Sequence, residues 1–266
     1  MSAPFLQPLQ LQGEALQIEA QWLGIEREGR PLTVFLHEGL GSLSHWRDFP
    51  QQLCEALDCR GLVYSRPGYG QSSPRRELWP QDYLQRQARD QLPACFDALG
   101  VPRDERLFLF GHSDGASLAL LFAAAFPERV RGVVAMAPHL FIEPCTIAGL
   151  RQARQAYEQE PALRTALARH HADTDSAFYG WNSAWLHPGS ERWNIEDELR
   201  GRLACPVLAL QGENDEYGSL AQIKAIARLH ADTKLCVLPG CGHAPQREQT
   251  EAVIEHTNAL FQRCLA

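Results

Sequence analysis

The sequence predicts an α/β fold: a mostly parallel sheet of about eight strands, helices on both faces, and one long helical insertion. Three observations lead there. Short, continuously apolar runs alternate with segments of helical periodicity along most of the 266 residues, the pattern of a sheet buried on both faces. One stretch of about 60 residues carries no strand pattern, too long for an ordinary connection. Finally, Gly111-His112-Ser113-Asp114-Gly115, a G-x-S-x-G pattern, falls between a strand-like run and a helix-like one.

The elements follow in chain order. Leu9-Gln10-Leu11-Gln12 and Leu16-Gln17-Ile18-Glu19-Ala20 alternate strictly in polarity, which predicts half-exposed antiparallel strands at one edge. Leu32 to Leu36 is an apolar strand ending in His37-Glu38-Gly39, and Trp46 to Leu57 reads as a helix. Gly61 to Tyr64 is a strand ending at Ser65-Arg66-Pro67-Gly68. Gln81 to Leu99 has helical spacing and stops at Gly100. Leu107 to Phe110 is the strand before the G-x-S-x-G pattern, and Ala116 to Phe126 the apolar helix after it, closed by Pro127.

Val133 to Met136 is a further strand, after which none appears until Pro206 to Leu210. Between them Thr146 to Glu160, Pro161 to Ala172 and Thr174 to Trp185 have helical patterns. Residues 140–202 therefore read as a helical cap inserted into a core domain of residues 1–139 and 203–266. The alternative is a long helical connection packed as ordinary core. Helix Leu220 to Leu229, strand Leu235 to Leu238 and helix Thr250 to Cys264 complete the alternation.

Composition narrows the class. Hydrophobic residues make up 45% and charged residues 21%, ordinary for a globular protein and unlike a disordered or fibrous one. The net charge of −7 comes with no dense Lys/Arg stripe, Arg75-Arg76 being the nearest candidate, so no nucleic-acid partner is expected. Met1 to Gln12 has neither a basic start nor a long apolar run, so a secretory signal is not expected and a cytoplasmic location is. Ala116 to Phe126, the longest apolar stretch, falls short of the roughly 20 residues that span a bilayer. Eight cysteines form no CxxC pair and several lie in apolar runs, which suits reduced thiols rather than a zinc site. No cofactor or metal is expected, and nothing separates monomer from homodimer.

The chemistry starts at Ser113. A sharp turn between strand and helix would put the serine in a strained backbone conformation, force small neighbours two residues away, and expose the hydroxyl above the sheet. A serine hydroxyl is a weak nucleophile until a base takes its proton. The loop after the next-to-last strand reads Gly212-Glu213-Asn214-Asp215-Glu216-Tyr217-Gly218, offering carboxylates. The loop after the last strand reads Pro239-Gly240-Cys241-Gly242-His243-Ala244-Pro245, offering a histidine.

With these residues in order, the chain resembles the α/β-hydrolase superfamily over most of its length. The motifs that carry the resemblance are His37-Glu38-Gly39-Leu40-Gly41-Ser42, Ser65-Arg66-Pro67-Gly68-Tyr69-Gly70-Gln71-Ser72, the G-x-S-x-G elbow, and the acid and histidine loops. The resemblance implies a serine hydrolase with Ser113 as nucleophile, His243 as base and Asp215 as the acid orienting it, with Glu213 and Glu216 as rivals on the same loop. It also implies an oxyanion hole made of the Asp114 amide and that of Gly39, or of Leu40 if the register is off by one. Epoxide-opening and halide-removing members carry aspartate as nucleophile, and Ser113 speaks against both.

The sequence departs from the family pattern at Glu38, where glycine is usual. Asp114 adds a second carboxylate beside the expected oxyanion hole. Both are expected to point away, Asp114 within the first helical turn and Glu38 toward Arg66 at the neighbouring strand tip. The pocket is expected between strand tips and cap, with Phe178, Tyr179, Trp181, Trp185, Trp193 and Leu186 as cap candidates and Trp46 and His139 flanking the strand ends. The alternative for these aromatics is packing of cap onto core.

The expected function is hydrolysis of a small, apolar or aromatic carboxylic ester, lactone or thioester through an acyl-enzyme. A C–C bond hydrolase of ring-cleavage products and a ligand receptor on a hydrolase scaffold are the alternatives. A small molecule is the expected partner, with no membrane.

Overall fold

The computed structural model describes residues 2–75 and 77–266; Met1 and Arg76, the latter half of the only basic pair considered above, lie outside the described residues. Eight strands form one sheet: β1 (Phe5–Leu11), β2 (Glu14–Leu23), β3 (Leu32–Leu36), β4 (Arg60–Tyr64), β5 (Leu107–His112), β6 (Val130–Met136), β7 (Val207–Gly212) and β8 (Thr233–Leu238). Their spatial order is β1-β2-β4-β3-β5-β6-β7-β8. β1 pairs with β2, and β2 with β4, in antiparallel fashion; every later pairing is parallel.

Strand periodicity divides the core in two. Val34, Leu36, Leu62, Leu109 and Ala135 face one side, where they meet α4 (Asp114–Ala125). Phe35, Val63, Phe108, Phe110 and Val134 face the other, where they meet α1 (Phe49–Ala56) and α11 (Thr250–Leu265). Consecutive side chains on a strand point to opposite faces, so an uninterrupted apolar run such as Leu32 to Leu36 is needed when both faces are covered. Ten of the twelve α4 residues are buried, which identifies its apolar circumference as that of a core helix. Among the described residues no helix is long and apolar enough to cross a membrane.

The helix read over Gln81 to Leu99 runs without interruption from Tyr83 to Ala98 but widens in its middle. It consists of α2 (Tyr83–Arg86), a π turn at Gln87–Gln91, and α3 (Leu92–Ala98). Pro93 accounts for the π turn: it cannot donate to the carbonyl of Arg89, and its ring crowds that carbonyl.

Between β6 and β7 lie α5 (Pro144–Gln159), α6 (Pro161–Leu167), α7 (Thr174–Trp185) and α8 (Glu196–Leu199). Among the described residues, the only β pairing in the segment between β6 and β7 is a single bridge outside these helices, Phe141 to Asn194. α9 (Ala221–Leu229) and α10 (Pro245–Glu248) complete the helices. α5 is fastened to the loop after β7: the Glu143 carboxylate accepts from the Ser219 amide at 2.9 Å and from Gln222 Nε2 at 2.7 Å, and Thr146 Oγ1 donates to the Tyr217 carbonyl at 2.6 Å.

Candidate active site

Ser113 stands between β5 and α4 with φ 54° and ψ −118°. That backbone conformation is costly for any residue with a side chain and persists only where its surroundings fix it. They do so here. The Ser113 amide donates to the Met136 carbonyl at 2.9 Å, and its own carbonyl accepts from the Ala116 and Ser117 amides at 2.8 and 3.1 Å. The turn is too tight for side chains at its flanks. A Cβ at Gly111 would lie 2.2 Å from the Gly115 carbonyl oxygen, and one at Gly115 would lie 1.9 Å from that of Leu36.

The loops after β7 and β8 are stitched together at their backbones. Glu213 N–H donates to Leu238 O at 2.9 Å and Asn214 N–H to Cys241 O at 2.8 Å. Gly212 sits so close to Gly242 that a Cβ there would meet its carbonyl oxygen at 2.2 Å. His112 Nε2 donates to the His243 carbonyl at 2.7 Å and ties the histidine loop to β5. These constraints bring three distant residues together: His243 Nε2 lies 3.1 Å from Ser113 Oγ, and His243 Nδ1 lies 2.8 Å from Asp215 Oδ1.

Asp215 is the one carboxylate of its loop that bonds to His243. Its Oδ1 also accepts from the Tyr217 amide at 2.9 Å, and its Oδ2 accepts from Gln211 Nε2 at 3.1 Å. Glu213 and Glu216 are exposed, and Glu213 accepts from the Gly240 amide instead. Burial pushes the Asp215 carboxyl up, but the hydrogen bond and charge of His243 outweigh it and leave it below its ordinary value. Burial likewise lowers His243, and the hydrogen bond and charge of Asp215 more than reverse that, leaving the imidazole raised. Chemically, His243 is a base within reach of the Ser113 proton, oriented by a carboxylate that also stabilises its protonated form.

The His37–Ser42 loop sits opposite. Gly41 N–H donates to Glu38 O at 3.0 Å, closing a turn over Gly39 and Leu40. The amides of Gly39, Leu40 and Asp114 donate to no other group among the described residues, and all three residues line the same cavity as Ser113.

The pairing expected between the Glu38 and Arg66 side chains is not made. Arg66 is buried behind the loop, where Nη2 donates to the backbone carbonyls of Glu38 at 2.9 Å and His37 at 3.1 Å, and Nη1 donates to Gln87 Oε1 at 2.8 Å. It braces the loop's main chain, while the Glu38 carboxylate turns the other way, to within 3.5 Å of His112 Nδ1 and 3.8 Å of Arg247. Burial alone would raise the Glu38 carboxyl; the hydrogen bond and charge of His112, with the charges of His45 and His37, hold it well below its ordinary value. Asp114 is in the first turn of α4 and fully enclosed. Its Oδ2 accepts from the Tyr83 hydroxyl, which in turn accepts from Trp185 Nε1 at 2.7 Å. Burial raises the Asp114 carboxyl despite Arg66, Tyr83 and Trp185.

The cavity has a volume of about 140 Å³. Ser113, His243 and the Gly39–Leu40 turn form one side; Thr146 and Leu150 of α5 and Trp181 and Trp185 of α7 form the other. His139 and Tyr217 close it laterally. Of the eight pocket candidates, Trp181, Trp185 and His139 line the cavity, whereas Trp46, Phe178, Tyr179, Leu186 and Trp193 do not. Trp46 is buried beneath the opposite face of the sheet, with ring centroids 5.8 Å from Phe35 and 5.9 Å from Phe110. Phe178 stacks on Tyr157 at 3.8 Å inside the helical layer and meets Trp181 edge-on from behind. Thr146, Leu150 and Tyr217 were not singled out from sequence. The first two stand four residues apart on α5 and share a helix face, and Tyr217 is two residues from Asp215.

A model of the alpha/beta hydrolase family matches residues 33–256, and the chain belongs to that family. The esterase FrsA of Yersinia pestis (strain Pestoides F) is 27% identical over 212 residues, which cover 78% of this chain and 47% of FrsA. The chain thus spans about half the length of the curated relatives it matches. Among solved structures, a thermophilic esterase from Thermogutta terrifontis superposes with a TM-score of 0.73 at 19% identity, covering 99% of both chains. The enol-lactonase from Burkholderia xenovorans LB400 does so with a TM-score of 0.73 at 18% identity, covering 96% of this chain and 99% of its own. At these identities the structural likeness concerns the fold.

Proposed function

We propose that this protein is a serine hydrolase that cleaves a small carboxylic ester or lactone through an acyl-enzyme on Ser113. One observation carries the reading: the Ser113–His243–Asp215 relay, at 3.1 and 2.8 Å, opens into a cavity also lined by Gly39, Leu40 and Asp114, whose amides have no other partner among the described residues. In the acylation step His243 Nε2 takes the Ser113 proton as Oγ bonds to the substrate carbonyl carbon. The carbonyl oxygen becomes an oxyanion, stabilised by the Asp114 amide and the Gly39–Leu40 turn without reorganisation. His243 then protonates the departing alcohol oxygen. In the second half His243 deprotonates water, which attacks the acyl carbon, and Ser113 recovers its proton as the acid leaves. Asp215 stabilises the imidazolium in both halves.

In this reading residues 140–202 are a cap that closes the site over a core of residues 1–139 and 203–266. The substrate is a small molecule, and no cofactor takes part. Size supports a small acyl group: an apolar cavity of about 150 Å³ holds benzene, close to the 140 Å³ present here. A single aromatic ring or a short branched chain fits within it. The similarity to the esterase FrsA supports the same bond class.

The test is labelling with a fluorophosphonate, read by intact mass, with Ser113→Ala alongside. One adduct on the native protein, absent from the variant, is expected, followed by a preference for short or aromatic acyl chains among p-nitrophenyl esters. A folded native protein that takes no adduct, or a variant that still takes it, overturns the assignment.

A further inference from the structure

His139 follows the β6 tip, and its backbone is fixed from two sides. The Ser117 hydroxyl donates to the His139 carbonyl at 2.6 Å and lies 3.0 Å from its amide, and the next amide, of Leu140, donates to Gln222 Oε1 at 2.7 Å. The imidazole is only 4% exposed. It lies near-parallel to His243 with ring centroids 6.1 Å apart and edge-on to Trp185 at 5.4 Å. It lines the same cavity as Ser113.

This well-placed ring makes no side-chain hydrogen bond among the described residues. Nδ1 is fully enclosed and unpartnered. The Cε1–Nδ1 edge faces Gly218, where an added Cβ would come within 3.2 and 3.3 Å of it. Nε2 is likewise without a protein partner but is not sealed off, so it is the nitrogen that meets the cavity. Burial first, then the charge of His243, hold the imidazole at a pKa of about 4 against the opposing pull of Asp215 and Glu143. It is therefore neutral near pH 7 and carries a single N–H. A buried N–H with no acceptor is rarer in proteins than an unused lone pair. The enclosed Nδ1 is accordingly the bare nitrogen, and Nε2 carries the proton into the cavity.

We propose that His139 Nε2–H is a specificity-determining donor, and that the preferred substrates carry a second, uncharged oxygen, an ether, hydroxyl or keto group, on the acyl chain beside the scissile carbonyl. The proposal rests on the hydrolase reading above. Proximity follows from the ring separation and the small cavity. The absence of charge follows from the lining: it holds Glu38, Asp114 and His243, but no lysine or arginine to receive a carboxylate. A hydrocarbon acyl chain filling the cavity would leave the donor unsatisfied, and a lost partner of this kind costs about a factor of ten or more.

The experiment compares p-nitrophenyl methoxyacetate with p-nitrophenyl butyrate, two acyl chains of nearly the same shape. The comparison uses the native enzyme, His139→Phe, His139→Met and His139→Gln. Taking each variant relative to the native enzyme cancels the intrinsic reactivity difference of the two esters. The expected result is that Phe and Met lower kcat/KM at least tenfold more for the methoxyacetate than for the butyrate, and that Gln, which keeps an N–H donor, restores part of the difference. Phe and Met fill the space differently, so failure of one to fold leaves the other. An equal fall for both esters, or no fall for either, overturns the proposal by making His139 a packing residue. Fluorophosphonate labelling of each protein separates the two readings: a labelled enzyme with an unchanged ester ratio rejects the donor and leaves the nucleophile standing, and an unlabelled native protein rejects the hydrolase itself.

Discussion

The strand-tip loops and the helices α5–α7 wall the same cavity from opposite sides, and different physics holds them in place. On the strand side, backbone atoms do the positioning. Ser113 is held at φ 54° by amide and carbonyl bonds, and Gly111, Gly115 and Gly212 stand where a single carbon would collide with main chain at 1.9 to 2.2 Å. On the helical side, side chains pack on side chains. Phe178 and Trp181, three residues apart on α7, end in different places: Phe178 is buried on Tyr157, while Trp181 reaches the cavity and covers Gly39, where an added Cβ would meet its Nε1 at 2.1 Å. Geometry fixed by backbone tolerates no substitution, whereas packing leaves room for a family of related pockets.

The largest effect separates chemistry from fold on the strand side. Ser113→Ala is expected to lower kcat by roughly 10⁴ to 10⁶ with the thermal midpoint retained, because the hydroxyl makes no structural bond other than that to His243 among the described residues. Steady-state kinetics with a parallel melt checks both. A large fall in midpoint would mean that Ser113 holds the turn rather than reacting in it. Gly115→Ala should reverse the pattern: with Cβ 1.9 Å from Leu36 O, the elbow cannot close. A loss of folding stability above about 4 kcal/mol is expected, measured by denaturant unfolding.

That contrast also explains what was legible in the sequence. The inner strands could be read because a doubly covered sheet needs continuous apolar runs, the first two because a half-exposed edge pair alternates in polarity, and the elbow because the turn needs glycine at 111 and 115. These requirements leave marks one residue wide. Asp215 could be placed on its loop but not separated from Glu213 and Glu216 by composition. Only the fold shows that it alone bonds to His243. The partner of Arg66 was misplaced because the guanidinium bonds to main-chain carbonyls, and every residue has one. Trp46 and Phe178 were taken for pocket residues because an aromatic side chain has the same sequence signature on either side of a wall. The π turn at Gln87–Gln91 was marked by Pro93, inside a helix whose spacing is otherwise regular.

The helical side is probed next. Phe178→Ala is expected to cost about 3 to 5 kcal/mol, the usual range for an emptied aromatic site, and to act on substrate only through Trp181. Trp181→Ala should cost less stability, since its ring is partly exposed, and should instead shift selectivity toward bulkier acyl groups by widening the space over Gly39. Chemical denaturation and a p-nitrophenyl ester series distinguish the two. Equal losses of stability would erase the difference between buttress and wall.

The smallest expected effect concerns charge acting from the His37–Ser42 loop on His243. His243 acts as a base only when neutral, so kcat/KM should rise with pH through its pKa, which Asp215 and, more weakly, Glu216 and Glu38 hold above the ordinary value of 6.5. Asp215→Asn removes the main support and should move that limb furthest down. Glu38→Gln removes a minor one and should move it down by less than Asp215→Asn does. Glu38 is itself depressed below its ordinary 4.5, so its contribution to stability is full above that pH and lost as the pH falls through its lower folded value. The Gln variant should therefore lose some stability at neutral pH and show a flatter acid limb of unfolding. A pH profile of kcat/KM unmoved by Glu38→Gln would mean that His112 and Arg247 neutralise the carboxylate locally, and that the departure from glycine at position 38 serves to join loop, elbow strand and α10 rather than to tune the base.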